Sequence, residues 1–161
     1  MSESKIDLSP FCMRARGFLT QGRTDDALAL YGDVLQVDPD NALAHADRGT
    51  AYAMLKKFDP ALRDLERALA LGYSEASTYC TIGTVYVELK KFQKALEYFT
   101  KAIALDENYP FTYYSRSNVL HELGATEAAI ADLERCLGFN PEESMRKLTF
   151  RRLNFFIYKS Y

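Results

Sequence analysis

The sequence predicts an all-α protein of four helix pairs and a closing ninth helix, and three observations lead there. Ala27, Ala61, Ala95 and Ala129 recur every 34 residues without insertion or deletion, a period typical of stacked repeats. Within each period the apolar residues fall at helical spacings of three and four. The composition agrees: 48% of the 161 residues are hydrophobic, 13% are aromatic, and only 8 are glycine and 5 proline. That is the profile of a folded, helix-rich chain.

Other columns keep the same register. Ala15, Gly49, Gly83 and Ser117 are small; Phe18, Tyr52, Tyr86 and Leu120 are large, as are Tyr31, Leu65, Phe99 and Leu133. Val34, Ala68, Ala102 and Cys136 follow, then Leu35, Leu69, Ile103 and Leu137. Unit boundaries are expected at 8–41, 42–75, 76–109 and 110–143, within one domain spanning residues 1–161.

In the first unit Ser9 before Pro10 signals a helix start, and Gly22 a reversal before the helix carrying Ala27 and Tyr31. In the second, Asp59 before Pro60 is read as the same start signal, and Gly72 as a stop. In the third, Tyr79, Ile82, Gly83, Tyr86 and Leu89 share one helical face. After Lys90 and Lys91, Phe92, Ala95, Leu96, Phe99, Ala102 and Ile103 share another. In the fourth, Gly124 marks the reversal, and Asn140 before Pro141 opens the closing helix, expected over 142–159. Small residues let paired helices approach closely, and Gly83 is expected to face Ala95. One pair cannot bury its apolar face alone, so successive pairs are expected to stack.

The pattern resembles the tetratricopeptide repeat family. Gly49, Tyr52, Phe58, Ala61 and Ala68 match its signature in the second unit, and Tyr79, Gly83, Tyr86, Phe92, Ala95, Phe99 and Ala102 in the third. The outer units keep Gly22 and Gly124, Ala27 and Ala129, Pro39 and Pro141. Tyr73 and Glu107 depart from the usual terminal proline, and Arg14 and Arg116 from a usual leucine. The resemblance implies a right-handed superhelical solenoid whose first helices line a concave groove. It places Arg16, Thr50, Met54, Thr84, Val87, Phe111, Tyr114, Asn118 and His121 on that groove, with Cys12, Ala46 and Cys80 beside them. The alternative for some of these residues is packing between neighbouring units.

No catalytic constellation is visible, so no enzymatic activity is expected, and no cofactor. His45 and His121 lie two units apart, too far to share a metal. Cys12, Cys80 and Cys136 have no CxxC spacing and read as reduced thiols of a cytoplasmic protein. Asp64, Glu66, Asp132 and Glu134 read as solvated helix-face charges. A net charge of −2 argues against nucleic acid. The absence of an apolar run of about 20 residues argues against a membrane span. Family co-chaperones that clamp acidic chaperone tails resemble one another in paired basic and amide positions. Here Cys12, Arg16, Ser77 and Thr81 stand there, so that subtype is not expected.

All acidic residues lie at or before Glu143, whereas Arg146, Lys147, Arg151, Arg152 and Lys159 crowd the end. Met145, Leu148, Leu153 and Phe156 are expected to cover the fourth unit. Phe150, Ile157 and Tyr161 fall on a second face, which suits a plain cap, self-association, a partner or a membrane surface. The expected function is a protein-interaction module or adaptor holding a partner peptide or helix of unknown identity. A small chaperone or assembly factor is one form of it. The alternatives are a scaffold that self-associates through the closing helix and a peripheral-membrane adaptor.

Overall fold

The computed structural model describes residues 6–159, without the Lys159 side chain. Among them are nine helices and no strand: α1 (Ser9–Thr20), α2 (Thr24–Val37), α3 (Ala42–Met54), α4 (Phe58–Ala70), α5 (Ala76–Glu88), α6 (Phe92–Leu105), α7 (Pro110–Glu122), α8 (Thr126–Gly138) and α9 (Glu143–Lys159). They form two compact units, one ending at Ser74 and one beginning at Glu75.

Turns between paired helices repeat with the sequence. Gly22 and Gly124 take positive φ of 74° and 81°, and at the equivalent places Lys56 and Lys90 both take 56°. Only glycine enters this left-handed region without penalty, so the two lysines are held there by the helices on either side. Gly72, at φ 89°, ends α4 as expected.

The start signals fall differently from the sequence expectation. Ser9 is already helical, and Asp7 accepts its backbone N–H at 3.0 Å. Asp59 and Pro60 lie inside the first turn of α4, where the carboxylate meets the positive end of the helix dipole. Asn140 takes φ 48° just past the end of α8 rather than opening α9. A side-chain cap is formed at α3 by Asn41, which accepts the Ala44 N–H at 3.0 Å.

In the first unit Cys12, Ala15, Ala27, Tyr31, Val34, Ala44 and Ala51 form the core shared by α1, α2 and α3. The small residue of α3 meets α4, and a Cβ built on Gly49 falls 2.7 Å from Leu65 Cγ. The second unit repeats this, with the Phe99 ring against Gly83 at 2.7 Å from an ideal Cβ. Phe156 of α9 joins Ala129 and Leu133 of α8, with Tyr114, Leu120, Ile130 and Leu153 around them.

Asp64 and Asp132 are not solvated; they are 7% and 6% exposed. Arg48 Nε and Nη2 donate to Asp64 at 2.6 and 2.9 Å, and Arg116 donates to Asp132 at 2.7 Å from both nitrogens. Each pair joins a first helix to its second across 16 residues. Two parallel hydrogen bonds offset the cost of burying each carboxylate. Arg116 thus replaces an apolar contact with a buried ion pair. The third repeat uses the apolar solution: Ile82 is fully buried, and Tyr98 lies 5.5 Å from the Tyr86 ring and 6.3 Å from Tyr79.

Candidate functional site

The first unit places Arg16, Thr50 and Met54 on its first helices. Arg16 is committed within the protein, since Nε and Nη2 both donate to Asp47 at 2.8 Å. Burial holds the Asp47 carboxyl above its ordinary value even though the Arg16 guanidinium pulls it down. Thr50 donates its hydroxyl to the Ala46 carbonyl at 2.9 Å, and Met54 is 60% exposed. Cys12 and Ala46 are buried and so cannot line an open groove. Small side chains on a first helix serve its packing here.

The second unit gathers more of the predicted residues. A hollow of about 400 Å³ lies between the C-terminal halves of α5 and α7 and the middle of α9. Val87, Asn118 and His121 line it together with Glu88, Arg152 and Phe156. Asn118 Nδ2 donates to the Tyr114 carbonyl at 3.2 Å, which fixes the amide's orientation. Its Oδ1 is buried without a hydrogen-bond partner on the protein. His121 is held by stacking, with its ring 4.1 Å from Phe156 and 21° from parallel, and Nδ1 lies 3.3 Å from the Thr126 hydroxyl.

A second recess adjoins the first through Arg152. Tyr114 of α7 forms one side, and Leu148, Arg151, Arg152 and Phe155 of α9 the other. The Arg152 guanidinium lies over the rings of Phe155 and Phe156, at 5.9 and 5.7 Å from their centroids. Phe111 is 39% exposed near the start of α7, its ring 6.3 Å from Tyr109. Thr84 is half-buried and donates to the Cys80 carbonyl at 3.0 Å. Cys80 itself is buried beside Thr112, and burial pushes its thiol up to about 11. It is a packing residue rather than a groove residue.

The part played by α9 was missed in the sequence. Leu148, expected to cover the fourth repeat, is 38% exposed and lines a recess with Tyr114 of that repeat, whereas the neighbouring position against α8 is held by fully buried Thr149. Its hydroxyl donates to the Met145 carbonyl at 2.8 Å and lies 3.6 Å from Cys136 Sγ. The signal was available in the ruler: Tyr114 and Asn118 plus 34 give Leu148 and Arg152, so α9 is in register as a fifth first helix. Phe150 and Ile157 are exposed as expected, at 49% and 38%, and Tyr161 lies outside the described residues.

Among the described residues no group of three or more His, Cys, Asp or Glu side chains is arranged to hold a metal. No helix there is long and apolar enough to cross a membrane. What the arrangement offers is a recessed strip of aromatic, amide and guanidinium groups on rigid helices. Such a strip suits an extended or helical polypeptide better than a reacting small molecule.

Paired helices in a strict 34-residue register, with small residues at their crossings, define an α-helical repeat protein. Tetratricopeptide repeat models match residues 12–78, 76–109 and 112–143, and the chain belongs to the tetratricopeptide repeat family. Repeats of this family bind other proteins. Hsc70-interacting protein 1 of Drosophila melanogaster is 42% identical over 59 residues, 37% of this chain. The match spans 16% of the fly protein's length. Among solved structures, PilF of Pseudomonas aeruginosa superposes with a TM-score of 0.81 at 21% identity, over 94% of this chain and 68% of that one. YrrB, described as a TPR protein with an unusual peptide-binding site, superposes with a TM-score of 0.73 at 24% identity, over 96% and 78%. At these identities the structural likeness shows the fold alone.

Proposed function

We propose that the chain is an adaptor that holds a segment of another protein against the exposed strip of α5, α7 and α9. The observation that carries this reading is the recessed strip itself, in which Val87, Glu88, Asn118, His121, Arg152 and Phe156 line one hollow and Tyr114, Leu148 and Phe155 the next. Tyr114 and Phe155, with Arg152, supply the residue types that most often anchor protein interfaces. The fly relatives' name makes Hsc70 the first partner to test. The absence of a basic clamp at Cys12, Arg16, Ser77 and Thr81 directs that test to the folded chaperone rather than to its acidic tail.

The experiment is affinity purification with the full chain, comparing the unaltered protein with a Val87→Asp/Asn118→Ala variant and adding purified Hsc70 as a separate arm. The adaptor reading expects one partner recovered at near-stoichiometric amount and depleted at least ten-fold by the variant, with helicity unchanged. Equal recovery by both proteins moves the binding surface away from this strip. Failure of the Hsc70 arm alone removes that candidate and leaves the strip standing.

A further inference from the structure

The second recess of the strip is charged with one sign. Two guanidiniums, those of Arg151 and Arg152, share it with Tyr114, Leu148 and Phe155. Neither wall supplies a carboxylate to answer them. In α7 no acidic residue precedes Glu122, and in α9 none follows Glu143. Glu143 is taken by Lys147 at 2.6 Å, and Glu122 lines the neighbouring hollow. The other arginines of the two helices are placed elsewhere, Arg116 on Asp132 and Arg146 on Asn140. Arg152 is held against the rings of Phe155 and Phe156, which fixes the direction of its fork. Like charges beside one recess repel, and an anion seated between them removes that cost.

The larger hollow sets no such sign, because Glu88 and Glu122 line it together with Lys90 and Arg152. Its depth is apolar instead: Val119 is fully buried and Phe156 is 1% exposed. The two places therefore ask for different side chains.

Shape narrows the anion. The recess has about 240 Å³, below the range of about 300–1,000 Å³ typical of pockets that enclose a whole small molecule. It seats one side chain of a longer ligand. A guanidinium fork matches a planar carboxylate with two parallel hydrogen bonds, and Leu148 and Phe155 flank the aliphatic stem behind it. Spacing follows from α7. Tyr114 in one place and His121 in the other are separated by about 10 Å along the helix, at 1.5 Å per residue. An extended chain covers that distance in about three residues.

We propose that the second recess binds a carboxylate side chain of the partner, and that the larger hollow takes an apolar side chain three residues away in an extended segment. This assignment rests on the strip of α5, α7 and α9 being the binding surface.

A phage-displayed library of random dodecapeptides, panned on the full chain, tests it. Enriched peptides should carry Asp or Glu three residues from Leu, Ile, Met or Phe. A synthetic peptide of the commonest enriched sequence should lose affinity at least ten-fold when its acid is replaced by Gln. The same loss should follow when the protein carries Arg151→Gln/Arg152→Gln with an unchanged melting profile, and binding to the parent should weaken with salt. Panning on Arg151→Glu/Arg152→Glu should enrich Lys or Arg in place of the acid. Peptides enriched without an acid, or bound equally by the parent and the Gln variant, overturn the proposal, as does an absence of enrichment. If such peptides are still lost with Val87→Asp/Asn118→Ala, the strip stands and only the carboxylate subsite falls. Binding indifferent to every variant removes both.

Discussion

Gly83 and Gly32 should respond in opposite directions to the same substitution. Both lie within helices, where replacing glycine by alanine gains about 1 kcal/mol from backbone entropy alone. At Gly32 in α2 an added Cβ has nothing within 4 Å, so Gly32→Ala should realise that gain. At Gly83 the added Cβ lies 2.7 and 2.8 Å from two ring carbons of Phe99. Phe99 is fully buried, so its ring cannot swing clear without disturbing the packing of α5 on α6. Overpacking of this kind costs about 1–3 kcal/mol, leaving Gly83→Ala less stable by about 1 kcal/mol after the entropy gain. For a chain of this size each kcal/mol moves Tm by about 2–4 °C. Thermal melts by circular dichroism should therefore place Gly32→Ala above the parent and Gly83→Ala below it. Shifts of the same sign would refute the close approach of α5 and α6 as the reason for glycine at position 83.

Arg116→Ile alone should destabilise by about 3–5 kcal/mol, because it strands Asp132 at 6% exposure. The double change Arg116→Ile/Asp132→Tyr, which copies Ile82 and Tyr98 of the third unit, should recover most of that loss in urea titrations. Lys90→Gly should raise Tm by about 2 °C by relieving a left-handed lysine at φ 56°. Burial raises the Cys80 thiol from 9.0 to about 11, so its neutral form favours the fold. The stability advantage of the parent over Cys80→Ala should be full below about pH 9 and shrink as pH rises through about 11, which denaturant titrations at a series of pH values would show.

The repeat architecture was legible because the ruler fixes two faces of every helix at once. Gly22 and Gly124 marked reversals for the same reason, since only a left-handed residue turns one helix back beside the next. Lys56 and Lys90 occupy the equivalent turns without a composition signal, because the helices on either side impose the conformation. Asp64 and Asp132 were misread for a different reason. A carboxylate looks solvated unless its partner is sought on the neighbouring helix, here Arg48 and Arg116, each 16 residues earlier. At the candidate site, Val87, Tyr114, Asn118 and His121 were legible as one face of two first helices. The wall supplied by Leu148, Arg152 and Phe155 was not, because the 34-residue ruler is broken by the change of composition after residue 143, which hides that the closing helix keeps its register. Cys12 and Cys80 show the remaining limit of periodicity, which gives a residue's angular position but not whether a neighbouring helix already covers it.

The central claim is that this protein engages its partner with the exposed strip of α5 and α7. Site-specific photo-crosslinking in cells tests it directly, with benzoylphenylalanine placed singly at Val87, at Phe111 and, as a control, at the exposed second-helix position Glu97. The account predicts crosslinked adducts of one partner protein from positions 87 and 111 and none from position 97. Adducts from position 97 alone, with positions 87 and 111 silent, would contradict it.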